Sequence, residues 1–309
     1  MRFETIKTIY NHALSNPKVF FLTGDLGHAH LEDFKKNLPN QYINVGIAEQ
    51  NIIGIAAGLA LSGNKVFVYS IAPFITMRCY EQIKVDVCYQ NVDVTVIGVG
   101  AGYAYSTCGG THHAIEDIAV MRALPNMRIY SPSNSFEARL ITEYLFTQSH
   151  PAYLRIGKGG EPAPEKEYPF EIGKGSVIKH GKDITIFSTG TILLEAVGAS
   201  DILSKWGINA EVINIHTIKP IDEGLIRNRT REREAVFVLE EHNIMGGLGE
   251  SIARIICESR GNRRPLFKCF GVPDQYNHRA GSQKFMRNCF GLNAESIADS
   301  IIKLLSPRA

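Results

Sequence analysis

Two short segments of the sequence place polar side chains that could do chemistry within apolar surroundings. The first, residues 44–51, reads Asn-Val-Gly-Ile-Ala-Glu-Gln-Asn, and a strand is expected to turn into a helix there, with Glu49 in the first helical turn. A carboxylate at that position can simply complement the helix dipole. Because the apolar run 52–57 follows, the carboxyl would also be partly desolvated, which suits it to sharing a proton with a ligand. The residues alone leave both interpretations open.

The second segment, residues 108–117, reads Cys-Gly-Gly-Thr-His-His-Ala-Ile-Glu-Asp. His112 and Glu116, and likewise His113 and Asp117, are four residues apart, so each pair would share one face of a helix. Such pairs can hold zinc, but the segment offers no third ligand, and carboxylates also orient imidazoles. An imidazole that contacts a substrate is therefore favoured, and no metal site is predicted.

The composition is that of a globular chain. Of the 309 residues, 44% are hydrophobic and 21% charged, and 33 Lys and Arg nearly balance 31 Asp and Glu. This length favours two domains, and the balanced charge argues against nucleic acid or membrane binding. No apolar stretch approaches the ~20 residues of a membrane span, and the charges near residue 1 do not fit a secretory signal. Six cysteines without a CxxC pair fit reduced thiols. We expect a cytoplasmic protein.

Runs of β-branched residues alternate with helical patterns along the chain, which predicts βαβ units and parallel sheets. Ligands of such folds bind beyond the carboxyl ends of the strands, and the segment 44–51 lies where a strand is expected to turn into a helix. A Gly-, Pro- and charge-rich run, 157–167, interrupts the pattern. The prediction is an α/β protein with a first domain over 1–160, a linker over 161–180 and a second domain over 181–309. Expected strands are 19–22, 42–45, 65–69, 92–98, 127–130, 184–188, 210–213 and 235–240, and expected helices are 47–61, 74–89, 114–124, 135–147, 192–205, 249–259 and 294–305.

Several ordered motifs make the chain resemble the transketolase and deoxyxylulose-phosphate synthase group. Over about the first 155 residues, the resemblance is to the group's pyrimidine-binding domain, and further along it is to the C-terminal domain. It implies two parallel-sheet domains, a thiamine-diphosphate pyrimidine-binding fold followed by a transketolase C-terminal-type domain. The motifs are 44–51, Ala-Ala-Gly-Leu-Ala at 56–60, Gly-Thr-His-His at 110–113, Leu-Pro-Asn-Met at 124–127, 238–249 and Gly-Val-Pro-Asp at 271–274.

One motif of the group is missing. Full-length members begin with a diphosphate-binding domain that holds magnesium through Gly-Asp-Gly and a later Asn. The nearest string here, Gly-Asp-Leu-Gly at 24–27, corresponds better to a motif early in the pyrimidine domain. The chain is therefore similar to the C-terminal half of a split transketolase. This implies a separately encoded N-terminal subunit that holds Mg²⁺, and a homodimer of this chain within an α2β2 assembly.

The resemblance implies roles for individual residues. Glu49 corresponds to the glutamate that hydrogen-bonds N1′ of the aminopyrimidine of thiamine diphosphate and so favours the tautomer that deprotonates the thiazolium C2. Phe74 corresponds to the ring that packs on the pyrimidine. Asp25 and Arg78 correspond to positions that line the cofactor pocket. His112 corresponds to the histidine that contacts the ketose donor.

Further substrate contacts are implied for His113, Arg155 and Lys158. The two cations follow the last strand of the first domain, where family members place groups that bind the sugar phosphate, and Lys158 stands where an Arg is common. The Asp that reads a sugar hydroxyl in many transketolases is missing before Gly-Thr-His. Gly100 stands where deoxyxylulose-phosphate synthases carry a phosphate-binding Arg, which disfavours that reaction. The sugars themselves stay open.

The implied function is that of a transketolase-type transferase (EC 2.2.1.-), moving a two-carbon ketol unit between sugars and active only with the N-terminal subunit. One alternative is the β subunit of a 2-oxoacid dehydrogenase-type decarboxylase, which would pass an acyl group to a lipoyl domain. The Thr-His-His and Pro-Asn-Met motifs disfavour it. Another is a non-catalytic pyrimidine-domain scaffold. The presence of Glu49, Phe74 and His112 argues against that alternative.

Overall fold

Two β-sheets, each with apolar clusters on both faces, organise the chain. The computed structural model describes residues 1–162, 168–259 and 264–306, and only the backbone of 28–30. Among these residues, the first sheet runs β10-β5-β6-β4-β3-β1-β2 and the second β12-β11-β8-β9-β7. The strands are β1 (Val19–Thr23), β2 (Tyr42–Asn44), β3 (Lys65–Ile71), β4 (Val94–Val99), β5 (Arg128–Tyr130), β6 (Ala152–Ile156), β7 (Ser176–Lys179), β8 (Ile184–Ser188), β9 (Ala210–Asn214), β10 (Thr217–Lys219), β11 (Ala235–Asn243) and β12 (Leu266–Val272).

Helices cover both sheets, and in the described residues none is long and apolar enough to cross a membrane. Short 3₁₀ turns lie at Ser106–Cys108, Gly110–His112 and Gly190–Ile192. The helices are α1 (Arg2–Ser15), α2 (His28–Asn37), α3 (Glu49–Leu61), α4 (Tyr80–Gln82) between π-helical turns at Phe74–Arg78 and Ile83–Tyr89, α5 (Asp117–Arg122), α6 (Ser135–Phe146), α7 (Leu193–Lys205), α8 (Glu223–Glu232), α9 (Leu248–Glu258), α10 (Gln283–Cys289) and α11 (Ala294–Leu305).

The predicted α/β architecture with two parallel-sheet domains is confirmed, and each sheet adds one antiparallel edge strand. β7 is antiparallel to β9, and β10 is antiparallel to β5. β10 follows β9 in the chain yet joins the first sheet, so the two domains share a strand connection. β7 lies inside the range 161–180 that the sequence analysis assigned to a linker. Residues 163–167 of that range lie outside the described residues.

The expected helix over 74–89 is broken into π-helical and α-helical turns. Two side chains near its start bond back to the main chain. The Thr76 hydroxyl donates to the Ala72 carbonyl at 2.7 Å, and the Cys79 thiol contacts the Ile75 carbonyl at 2.9 Å. Such bonds compete with the regular helical ladder. The π turn contains both aromatic and cationic site residues, a place where π-bulges are frequent.

Candidate active site

The carboxyl ends of neighbouring parallel strands carry the predicted cofactor and substrate residues to one edge of the first sheet. The strands β2, β1, β3 and β4 are adjacent in that order and parallel. Asp25 follows β1, Glu49 follows β2, Phe74 follows β3, and His112 lies in the loop after β4. This is the edge at which parallel sheets bind ligands.

Glu49 begins α3 and is only 6% exposed. Its cap residue, Ala48, is not helical and makes no side-chain cap hydrogen bond, and Glu49 is the acidic residue of the first helical turn, where a carboxylate complements the helix dipole. Ile52 and Ile53 are buried beneath it in the core. The carboxyl nevertheless borders a cleft of about 570 Å³ that is also lined by Arg78. Glu49 is thus buried on the core side and reachable from the cleft.

Arg78 joins Glu49 to Phe74. Its Nη1 lies 3.2 Å from Oε2 of Glu49, and its guanidinium carbon lies 4.0 Å from the centroid of the Phe74 ring. The second contact is a cation–π interaction. The imidazole of His112 meets the same ring edge-on, with centroids 5.0 Å apart at 68°. The structure therefore brings four predicted site residues, from three separate segments, into one cluster.

His112 does not lie on a helix. It ends the 3₁₀ turn Gly110–His112, and α5 begins only at Asp117. The predicted pairing of His112 with Glu116 on a helical face is therefore wrong, because Gly109, with a φ of 81°, breaks the backbone into short turns. Burial, and secondly the charge of Arg78, lower the pKa of His112. The imidazole is neutral near pH 7 and able to hydrogen-bond a ligand.

His113 faces the second domain rather than the cleft at Glu49. It is 6% exposed, its ring lies edge-on to Tyr103 at 4.9 Å, and its Nε2 has no hydrogen-bond partner among the described residues. Burial lowers the pKa of His113, which is therefore neutral too. Burial also raises the pKa of the nearby Glu116. Among residues 1–162, 168–259 and 264–306, no three metal-ligating side chains are grouped.

A cavity of about 520 Å³ links this loop to the second domain. Phe74, Arg78 and His113 line one side of it. The opposite wall is Tyr276, Asn277 and His278, which the sequence analysis did not single out. The Gly-Val-Pro-Asp motif at 271–274, just before them in the chain, is the sequence feature that could have pointed to this wall of the cavity. The cavity volume is typical of small-molecule sites.

Asp25 is exposed and adopts a left-handed conformation, with a φ of 58°. Its N–H donates to Oδ1 of Asn44 at 3.0 Å, and Nδ2 of Asn44 donates back to its Oδ1 at 2.9 Å. The same Asn44 Oδ1 accepts the N–H of Gly46. These hydrogen bonds connect the ends of β1 and β2 directly before α3.

The two predicted phosphate-binding cations lie in different environments. Arg155, in β6, is 3% exposed, and its Nε donates to Oδ2 of Asp117 at 2.7 Å. Its Nη2 donates to the carbonyls of Ala114 and Glu241. A guanidinium so enclosed cannot contact a sugar phosphate, which corrects the expectation for Arg155. Lys158 is exposed beyond the end of β6, and its role stays a prediction.

Both parts of the chain match known protein families. Residues 6–161 match the family described as transketolase, pyrimidine binding domain, and residues 173–297 match transketolase, C-terminal domain. The chain belongs to the transketolase family.

Several relatives of this transketolase-family chain are named as transketolase subunits. It is 38% identical to one subunit of an apulose-4-phosphate transketolase from Actinobacillus succinogenes, covering 89% of this chain and 88% of that one. It is 32% identical to a 6-deoxy-6-sulfo-D-fructose transketolase subunit from a Clostridium species, over 96% and 92% of the two chains. A solved split-gene transketolase, described as an inactive β4 tetramer, superposes with a TM-score of 0.84 at 33% identity, covering 98% and 96%. The predicted likeness to the C-terminal half of a split transketolase is confirmed.

Proposed function

We propose that this chain is the C-terminal subunit of a two-chain, thiamine-diphosphate-dependent transketolase that transfers a two-carbon ketol unit between sugars. The observation that carries the proposal is the cluster of Glu49, Arg78, Phe74 and His112 at the ligand-binding edge of the first sheet. It brings together a carboxyl, a flat apolar ring and a neutral imidazole, and Arg78 lines both the cleft at Glu49 and the cavity at Phe74. A non-catalytic scaffold would not need these side chains to be in contact with one another.

The residues present fit the aminopyrimidine part of thiamine diphosphate. Glu49 is desolvated yet borders the cleft, and Phe74 is only half buried, so a flat heterocycle could meet both. When bound, the cofactor supplies the carbanion chemistry of ketol transfer. Glu49 would share a proton with N1′ of the ring, and Phe74 would pack on the ring. Arg78 would fix the orientation of the carboxyl, and Asp25, which lies at the same edge of the sheet, would line the cofactor pocket.

The neutral imidazole of His112 would hydrogen-bond the ketose. Its Nδ1 lies 3.0 Å from the hydroxyl of Thr111, which leaves Nε2 for a ligand. His113, buried behind it, would support this contact from the second domain's side.

Exposed apolar side chains support an assembly with further chains. They lie on α3, just before it, and on the segment 74–89 that packs against α3. Large apolar patches on an isolated chain mark interfaces. We propose a homodimer of this chain within an α2β2 assembly, with the N-terminal subunit holding Mg²⁺ and the diphosphate. The exposed residues are Ile47, Leu61, Met77, Val85 and Tyr89.

The proposed function predicts that the purified chain transfers no ketol unit alone and gains activity with the separately encoded N-terminal subunit. The physical reason is that this chain supplies only the pyrimidine side of the site. Product formation from a ketose donor and an aldose acceptor, with sedimentation to establish α2β2, measures this. Tight binding of thiamine diphosphate and ketose turnover by the chain alone would contradict it. Turnover of a 2-oxoacid with a lipoyl domain as acceptor would assign the dehydrogenase function instead.

Lys158 provides a prediction about the substrate. The two relatives act, by name, on sugars with a phosphate or a sulfo group, and we propose that Lys158 binds such an anionic end. Lys158→Ala should then raise KM for a phosphorylated acceptor, since one charged contact is worth about 1.5–3 kcal/mol. An unphosphorylated acceptor should be little affected. Lys205→Ala, at an exposed lysine ending α7, is the matched control. Equal effects of Lys158→Ala on both acceptors, or none, would refute the contact.

A further inference from the structure

The loop that carries His112 is tied to the rest of the protein by Arg155. Arg155 lies in β6, and its side chain contacts the end of this loop. Its Nε donates to Asp117 Oδ2 at 2.7 Å, and its Nη2 donates to the carbonyl of Ala114 at 2.9 Å. The same Nη2 reaches the carbonyl of Glu241, in β11 of the second domain, at 3.1 Å. We call residues 100–116, between β4 and α5, the histidine loop. One guanidinium therefore holds the C-terminal end of this loop to both domains.

The carboxylate of Glu241 completes the connection. Its Oε1 accepts the backbone N–H of Tyr103 at 2.6 Å, and its Oε2 accepts Nε of Arg287 at 2.6 Å. Gln283 donates to the same carboxylate at 2.9 Å. The ring of Tyr103 in turn packs against His113. Glu241 thus holds, from the second domain, the N-terminal part of the histidine loop.

Hydrogen bonds from backbone N–H groups also connect the two domains near this loop. The N–H of Asn243 donates to the carbonyl of Ile115 at 2.7 Å, and the N–H of Ala119 contacts Nε2 of His242 at 3.3 Å. A helix over residues 110–116 would be held by its own hydrogen bonds. The histidine loop instead consists of short turns, so its position depends on contacts from outside.

The charged groups of this network are almost completely buried. Exposure is 0% for Asp117, 3% for Arg155, 3% for Glu241 and 8% for Arg287. Arg287 also pairs with the half-buried Glu195, whose Oε1 lies 3.5 Å from its Nη1. Buried ion pairs contribute little net stability because desolvation offsets their attraction, but removing one partner leaves an uncompensated charge. Such a network fixes geometry more than it stabilises the fold.

We propose that Arg155 and Glu241 are positioning residues for ketol transfer, holding the His112 loop at the angle at which its imidazole meets the ketose. The inference rests on the proposed function. It makes the second domain a determinant of donor binding, although neither residue touches the cleft. Glu49 lies on a different segment, after β2, and cofactor activation should not depend on the network.

The test uses the complex reconstituted with its N-terminal subunit. Glu241→Gln should lower kcat/KM for the donor ketose roughly 10- to 100-fold, the cost of a misplaced contact, and spare proton exchange at C2 of the cofactor. In a His112→Ala background the same substitution should change kcat/KM by less than about 2-fold, because the group being positioned is gone. An equal loss in both backgrounds, or a parallel loss of C2 exchange, overturns the proposal.

Glu211→Gln is the matched control. Glu211 is 2% exposed and paired with Arg229 at 2.7 Å, but within the second domain and away from the histidine loop. It should lower the melting temperature without affecting donor kcat/KM. If Glu241→Gln does not fold, Gln283→Leu, which removes one neutral donor from the same carboxylate, should give a loss of about 3-fold with the same dependence on His112.

A readout that needs no turnover separates this proposal from the proposed function. In the isolated chain, imidazole NMR titration should show the pKa of His112 moving up toward its usual value in Glu241→Gln, because a released loop is more hydrated, and unchanged in Glu211→Gln. That shift in a chain whose wild-type complex transfers no ketol unit would refute the proposed function, and with it the role in ketol transfer, but not the anchoring of the loop. No shift and no change in donor kcat/KM in an active complex would refute only the positioning role.

Discussion

Replacing Glu49 with Gln is expected to suppress proton exchange at C2 of bound thiamine diphosphate by about 10²- to 10⁴-fold, the range for loss of a positioned acid–base group. An amide cannot share a proton with N1′ as a carboxyl can. Fold and assembly should be retained, since Gln keeps the shape of the side chain and Glu49 contributes at most one hydrogen bond to Arg78. NMR of C2 exchange in the reconstituted complex measures the step directly.

A second helix-start carboxylate provides the control for this experiment. Glu295 lies in the first turn of α11, on the surface of the second domain. Glu295→Gln removes a charge from a helix dipole, a change worth about 0.3–1 kcal/mol, and should leave C2 exchange unaltered. If Glu49→Gln behaved in the same way, Glu49 would be no more than a helix-capping charge.

His112→Ala is expected to spare C2 exchange and to lower kcat/KM for the ketose donor. The loss of one substrate hydrogen bond of about 1–3 kcal/mol corresponds to roughly 5- to 150-fold at 25 °C. Thr111→Val, which removes the hydroxyl beside Nδ1, should give a smaller loss in the same direction. Steady-state kinetics of donor turnover, with C2 exchange in parallel, measures both variants. Loss of C2 exchange in His112→Ala would place the imidazole at the cofactor instead.

The direction of the His112 pKa shift adds a pH dependence. Because burial and the Arg78 charge lower this pKa, the imidazole stays neutral to a lower pH than an ordinary histidine does. The contribution of His112 to donor kcat/KM should therefore be lost at a lower pH than the usual histidine pKa would give. In Arg78→Gln, without the nearby cation, the loss should begin at higher pH.

Features that depend on short stretches of chain could be predicted from the amino-acid sequence. Alternating strand and helix patterns predicted both parallel sheets, and β8 and α11 have the predicted bounds. The same patterns placed Glu49 at the start of a helix and near the carboxyl end of a strand. These features follow from local backbone preference and hydrophobic periodicity, which neighbouring residues encode. Ordered motifs then identified the family. These patterns do not predict helix α1, although its buried Ile6, Ile9 and Ala13 recur at helical spacing.

Which of these residues meet, and which are withdrawn from solvent, became evident in the folded molecule alone. Arg78 bridges Glu49 and Phe74, His112 reaches the same ring from another loop, and Arg155 is enclosed by carboxylate and carbonyl groups instead of facing a phosphate. The sequence does not show whether a cationic side chain faces water or a buried carboxylate. Its role depends on desolvation and on charges contributed from distant segments, here from β11 of the second domain, and no local pattern encodes that pairing.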